Sequence, residues 1–106
     1  MGLMIAFLYR MRLKPGREHD YDDAWREGTL IARERFGSGG SHLFALEDGT
    51  RIAFALWPDK ESRDRYFAWR RQNPTPKSKI LLEAMDQDLG EEVLESINDL
   101  WLPTRP

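Results

Sequence analysis

Two apolar runs between Ser41 and Trp57, joined by Glu47-Asp48-Gly49-Thr50, limit the possible folds more than any other segment. An Asp-Gly pair between apolar runs is typical of a β-hairpin, so we predict strands at 42–47 and 51–57. Side chains alternate between the two faces of a strand. In the second strand, one face carries Ile52, Phe54 and Leu56 and the other carries Ala53, Ala55 and Trp57. Both faces of this hairpin are therefore apolar.

An apolar sheet face needs a cover, because an antiparallel sheet with one face in water alternates apolar with polar residues. The chain has 106 residues, which is too few for two full covering layers. We therefore predict that helices of the chain cover one face of the sheet and that a second copy covers the other. This is a homodimer formed through the sheet face.

The overall composition excludes several classes of protein. The net charge is -2 and charged residues make up 32% of the chain, which indicates an ordinary surface without bias toward nucleic acid or membranes. There is no cysteine, so the chain offers neither a disulfide, a thiolate metal site nor a Cys nucleophile. The apolar N-terminal run ends at Arg10, well short of a membrane span. We expect a single domain over residues 1–106, located in the cytoplasm.

The rest of the pattern predicts one further strand and one helix before the hairpin. Residues 3–13 form the first strand, which Lys14-Pro15-Gly16 ends with a turn. Residues 17–36 carry apolar side chains at helical spacing, and Gly28 in the middle makes a bend plausible.

Two helices and a last strand are predicted after the hairpin. Asp59 is a suitable N-cap for a helix that runs to about Gln72. Thr75 can cap another helix with Pro76 in its first turn and Gly90 at its C-terminal end. The inner face of this helix would consist of Leu81, Leu82, Met85 and Leu89. Residues 92–102 fit a final strand, although Glu91 to Leu94 could extend the helix instead.

The resulting order is β-α-β-β-α-α-β, which predicts an α+β fold of the ferredoxin-like split βαβ kind with an antiparallel sheet. Three segments also resemble antibiotic-biosynthesis-monooxygenase (ABM)-like proteins of the dimeric α/β-barrel superfamily. They are Met4 to Arg10, Phe54 to Glu61, and Val93-Leu94-Glu95. The resemblance implies that two ferredoxin-like subunits pack sheet against sheet into a dimeric α/β barrel.

Activities differ within that superfamily. Some members are oxygenases that use neither metal nor flavin and act on electron-rich aromatic molecules, whereas others degrade haem or isomerise small molecules. The haem-degrading branch uses an Asn on the first strand, a Trp on the second helix and a later His. Here Trp69 could match the Trp, but the strand at 3–13 has no Asn and no His follows Trp69. Haem degradation is therefore disfavoured.

Candidate site residues are mainly aromatic. We expect Tyr9, Trp25, Trp57 and Trp69 to line a substrate pocket that stacks a planar ligand, although packing in the core or in the dimer also explains each of them. His42 and Tyr66 are the candidates for moving a proton. A strand-end His facing solvent is the simpler interpretation of His42. Trp101 is more typical of an interface or a lid.

Other kinds of site have little support. The carboxylates at 18–23 point in several directions around one helical turn and have no His or Cys beside them, so we expect no metal. The Gly-rich stretch at 37–40 precedes a strand rather than a helix, so it is not a phosphate loop, and we expect no cofactor.

Three functions therefore remain open. The leading one is a cofactor-independent monooxygenase-like oxidoreductase acting on a small aromatic or apolar molecule. The alternative is a non-catalytic homodimer that binds a small ligand or regulates another process. RNA binding is weaker, because the third strand lacks the required Gly and its aromatic residues Phe54 and Trp57 fall on opposite faces.

Overall fold

The computed structural model describes residues 4–98. In this part of the chain the elements are, in order, β1 (Ile5–Leu13), α1 (Glu18–Phe36), β2 (Gly40–Ala45), β3 (Arg51–Trp57), α2 (Lys60–Gln72), α3 (Pro76–Ala84) and β4 (Met85–Leu94). The four strands form one antiparallel sheet in the order β2-β3-β1-β4. This confirms the α+β fold and the ferredoxin-like order. The dimeric barrel stays a prediction.

Local chemistry sets most of the helix ends where the sequence predicts them. The Asp59 carboxylate accepts a hydrogen bond of 2.7 Å from the backbone N–H of Ser62 at the start of α2. Thr75 and Ser78 form a reciprocal capping box at the start of α3, with Pro76 in its first turn. α1 ends at Gly37, whose φ of +79° is a conformation that glycine adopts without strain.

The boundary between α3 and β4 differs from the prediction. α3 ends at Ala84, so Met85 and Leu89 belong to β4 and not to the inner face of a helix. The predicted last strand at 92–102 instead begins at Met85 and ends at Leu94, while residues 99–102, including Trp101, lie outside the described part of the chain.

Pairing with β1 explains this earlier start of the strand. Leu13 lies opposite Met85, and Arg12 lies opposite Gln87 and donates a hydrogen bond of 2.9 Å to it. Residues 85–94 pair with the edge of β1 that faces away from β3. The hydrogen bonds of this pairing stabilise a strand more than the helical spacing of the leucines stabilises a helix. Gly90, predicted to end a helix, has a φ of +107° within β4, where the pairing with β1 shifts register.

The two faces of the sheet have different surroundings. One face packs against the helices and buries Phe7, Met11, Leu13, Ala53, Ala55 and Trp57. On the other face, here named the open face, Phe44, Phe54 and Leu56 are 37–41% exposed. Within residues 4–98 the helices of the chain therefore cover only one of the two apolar faces, as the hairpin pattern predicts. The covering of the open face by a second copy stays a prediction.

None of the helices in the described part of the chain combines the length and apolar character that a membrane crossing requires. The cytoplasmic location stays a prediction.

Candidate functional site

A cavity of about 490 Å³ lies between the helix-covered face of the sheet and the three helices. Its volume is within the range of small-molecule binding sites. Tyr9 of β1 and Trp57 of β3 contribute aromatic side chains from the sheet, and Tyr66 and Phe67 contribute them from α2. Leu82 of α3 is 68% exposed and lies where the cavity opens to solvent.

Small residues on α1 create the room for this cavity. Ala24, Gly28 and Ala32 recur every four positions, so they lie along one stripe of the helix, and all three line the cavity. Ala55 adds a small side chain from the sheet. Larger residues at these positions would fill the space between α1 and β3.

Hydrogen bonds fix Trp25 at the edge of the cavity. Its indole N–H donates to the Ser41 hydroxyl at 3.0 Å, and that hydroxyl lies 2.5 Å from the Thr29 hydroxyl. Trp25 also packs against Tyr21 and Tyr9, with ring centroids 6.1 Å and 6.4 Å away. The only polar atom of Trp25 is thus bonded within the protein, and the ring offers a ligand an apolar surface.

Tyr66 joins α2 to α1. Its hydroxyl donates to the carbonyl oxygen of Gly28 at 3.1 Å, and a Cβ added at Gly28 would lie 3.0 Å from the same hydroxyl. The Tyr66 ring centroid lies 5.7 Å from that of Trp57. Burial raises the pKa of Tyr66 above its ordinary value, so its phenol is neutral near neutral pH.

Tyr9 has a similar electrostatic environment. Burial raises the pKa of Tyr9, although a 3.4 Å hydrogen bond from Arg63 acts in the opposite direction. Arg63 is buried and also donates to Glu91 at 2.7 Å. Tyr9 therefore also presents a neutral phenol.

Arg70 brings a buried positive charge to the cavity. Its Nη2 donates to Glu27 at 2.5 Å and to the Thr75 hydroxyl at 3.4 Å. Burial disfavours the ionised form of Glu27, but hydrogen bonds from Thr75 and Arg70 outweigh it and hold the pKa of Glu27 below its usual value. Nη1 of Arg70 is buried and has no hydrogen-bond partner among residues 4–98.

The structure brings together four of the six predicted site residues: Tyr9, Trp25, Trp57 and Tyr66. Trp69 lies outside the cavity, where it packs against Phe36 at 5.4 Å and beneath the Arg35 guanidinium at 4.5 Å. A separation of three positions from Tyr66 rotates Trp69 around α2 toward the end of α1.

His42 lies on the opposite side of the sheet from the cavity. Because neighbouring strand residues point to opposite faces, Ser41 faces the cavity and His42 faces away from it. His42 stacks on Phe44 on the open face, with ring centroids 4.0 Å apart. His42 is therefore not among the residues that line this cavity, and its catalytic role stays a prediction.

Other cavity residues are not in the predicted site. The cavity is also lined by Phe67, Thr29, Ser41 and Arg70. The available signal for Arg70 is its position four residues after Tyr66, which places both on one side of α2.

No group of three His, Asp or Glu side chains between residues 4 and 98 is placed to hold a metal ion.

Comparisons with known proteins place the fold in a class. No family model matches the sequence. No curated protein matches it either. Solved structures of ABM-domain proteins nevertheless match 90% or more of this chain with TM-scores from 0.66 to 0.72, so the chain is ABM-like in fold. The predicted resemblance is confirmed at that level.

Three solved structures illustrate the likeness. One is SnoaB, a cofactor-independent oxygenase from Streptomyces nogalater, with a TM-score of 0.72 and 14% identity over 95% of this chain and 100% of that one. An antibiotic biosynthesis monooxygenase has a TM-score of 0.66 and 17% identity over 90% and 100% of the two chains. A protein of unknown function from Nitrosomonas europaea has a TM-score of 0.67 and 18% identity over 97% of both. At these identities the likeness establishes the fold and leaves the activity open.

Proposed function

We propose that this protein is a cofactor-independent monooxygenase-like oxidoreductase that acts on a small aromatic molecule bound in the cavity. The observation that carries the proposal is the cavity itself, which aromatic side chains from the sheet and two helices line within an ABM-like fold. Its apolar walls suit a planar substrate and exclude water from the bound ring.

The proposed reaction needs no external reductant. A ring carbon para to a substrate hydroxyl, which is a CH₂ group in the keto tautomer of the phenol, becomes C=O, one atom of O₂ enters the product, and the other leaves as water. The substrate supplies all four electrons that reduce O₂. The protein's part is to bind the ring, orient it and favour its deprotonated form, which is the form that reacts with oxygen.

The cavity residues restrict how the proton leaves. The titratable side chains that line the cavity are Tyr9, Tyr66, Arg70, Arg71 and Lys79. Burial raises the pKa of both tyrosines and keeps them protonated near neutral pH, so neither is available to accept a proton as a phenolate. A substrate that is itself acidic therefore fits this site best. The Tyr66 hydroxyl donates to Gly28, so its oxygen remains able to accept a hydrogen bond from a substrate hydroxyl.

A second candidate function is a non-catalytic homodimer that binds a small ligand. No carboxylate or His in the described part of the chain lines the cavity, and this favours the second candidate, since these residues then offer no strong base for proton transfer. Both candidates place the ligand in the same cavity. They also share the proposed homodimer, in which a second copy covers Phe44, Phe54 and Leu56 on the open face.

Oxygen uptake separates the two candidates. The purified protein is incubated with a dihydroxynaphthalene in ¹⁸O₂, and both oxygen consumption and ¹⁸O in the product are measured. Incorporation of one ¹⁸O atom per product molecule above the rate in buffer supports the oxygenase. Binding of the compound by calorimetry without oxygen consumption supports the non-catalytic alternative.

A pair of variants tests whether the cavity is the site. Leu82→Trp would fill the cavity opening and should abolish both binding and turnover, and its high exposure makes a folding defect unexpected. Leu30→Trp is the matched control, because Leu30 is also exposed but does not line the cavity. Equal effects of the two substitutions would contradict the assignment of the site.

A further inference from the structure

We infer that the cavity selects aromatic anions and that Arg70 is the residue that recognises the anionic group of the ligand. The inference rests on the proposed role of the cavity as a binding site and adds the charge class of its ligand.

The charged residues that line the cavity all have the same sign. They are Arg70, Arg71 and Lys79, and no Asp or Glu between residues 4 and 98 lines it. Arg70 and Arg71 lie at the end of α2 and Lys79 lies in α3, so the positive charges belong to one edge of the cavity, where α2 leads into α3. Glu27 offsets part of the Arg70 charge from outside the lining, and Arg71 and Lys79 add further positive charge, so this edge favours an anion over a cation.

Arg70 has a donor to spare. Glu27 and Thr75 hold Nη2, which keeps the guanidinium in place, while Nη1 is buried without a partner within the described residues. A buried charged donor left unpaired is unfavourable, because it has lost its hydrogen bonds to water. A small turn of the guanidinium would bring Nη1 to a ligand carboxylate in the cavity and restore this hydrogen bond, and a charge-assisted bond of this kind is stronger than a neutral one.

The spacing along α2 suggests the size of the ligand. Arg70 follows Tyr66 by four residues, so their side chains lie on one side of α2, about one helical turn or roughly 6 Å apart along its axis. If one end of an aromatic ligand contacts Tyr66 and Trp57, a substituent at its other end therefore lies near Arg70. A two-ring carboxylate such as 2-naphthoate matches this separation.

The test compares two ligands of the same shape by isothermal titration calorimetry: 2-naphthoate and its neutral analogue 2-naphthamide. We expect the wild-type protein to bind 2-naphthoate on the order of tenfold more tightly or better, as a charged hydrogen bond predicts. In Arg70→Gln this preference should fall to about onefold, with the affinity for 2-naphthamide nearly unchanged. Arg65→Gln is the matched control, because Arg65 is on the same helix, does not line the cavity and should keep the preference.

A second variant separates charge recognition from folding. Arg70→Gln removes the partner of Glu27, so a lower melting temperature alone would be uninformative. The double variant Glu27→Gln and Arg70→Gln leaves no unpaired carboxylate and should still lack the preference. Retention of the preference in this folded double variant overturns the inference.

The remaining outcomes distinguish the inference from the proposed function. Equal binding of the two ligands by the wild-type protein overturns the charge selectivity but leaves the cavity as a site for aromatic molecules. Binding of neither ligand counts against both.

Discussion

The open face makes a quantitative prediction about assembly. Phe54 lies at the centre of this face, between Leu8 of β1 and His42 of β2 in the strand register, and its ring packs edge-on against Phe44 at 6.0 Å. Phe54 is 37% exposed in the single chain. If a second copy covers the open face, this exposed area becomes buried on dimerisation.

The area sets the size of the effect. A phenylalanine side chain presents roughly 200 Å² when fully exposed, so the 37% of Phe54 that is exposed corresponds to about 75 Å². Burial of that area contributes about 2 kcal/mol at about 25 cal/mol per Å². A two-fold interface contains Phe54 twice. Phe54→Ser should therefore weaken the dimer by about 4 kcal/mol, or on the order of a thousandfold in Kd.

Sedimentation velocity over a range of protein concentrations measures this change. The wild-type protein should sediment as a dimer at micromolar concentration, and Phe54→Ser should dissociate under the same conditions. Leu30→Ser is the matched control, because Leu30 has nearly the same exposure, 38%, but lies on α1, away from the open face. The reasoning is refuted if Phe54→Ser remains as dimeric as the wild type, or if Leu30→Ser dissociates equally.

Three further predictions concern stability and are checked by urea unfolding. Burial raises the pKa of Tyr66 in the folded state. The contribution of Tyr66 to the free energy of unfolding is therefore complete below pH 10 and is lost as the pH rises above 10, so the free energy of unfolding of Tyr66→Phe should fall less steeply at alkaline pH. Asp59→Ala removes the cap on Ser62 and should cost about 1 kcal/mol, whereas Asp59→Asn should retain most of it. Gly90→Ala places a Cβ on a backbone of positive φ and should cost about 1–2 kcal/mol; an unchanged stability would contradict the positive φ at that position.

Local signals account for the parts of the fold that the sequence predicts well. The Asp-Gly turn, the Asp59 cap and the Thr75 capping box act over a few residues, so they can be recognised without the tertiary structure. The start of β4 at Met85 cannot be recognised in this way, because it depends on pairing with β1, more than 70 positions earlier in the chain.

The same distinction applies to the site. Residue type suggests Tyr9, Trp25, Trp57 and Tyr66, since buried aromatic residues commonly line pockets and cores. Residue type alone does not distinguish His42 from these four residues. The register between β2 and β3 decides which face of the sheet His42 lies on, because a shift of one position would exchange Ser41 and His42 between the two faces.

A second cavity, also of about 490 Å³, adjoins the first on the β4 side of the sheet. The two cavities share the lining residues Tyr9, Trp25, Phe67, Arg71, Leu81 and Leu82. The side chains of these shared residues thus contribute to the wall between the two cavities. The conformations of a few side chains therefore determine how long a ligand the protein can hold. A single substitution such as Phe67→Ala should join the two cavities without altering the sheet. One scaffold of this kind can change its ligand from one ring system to a longer one in a single evolutionary step.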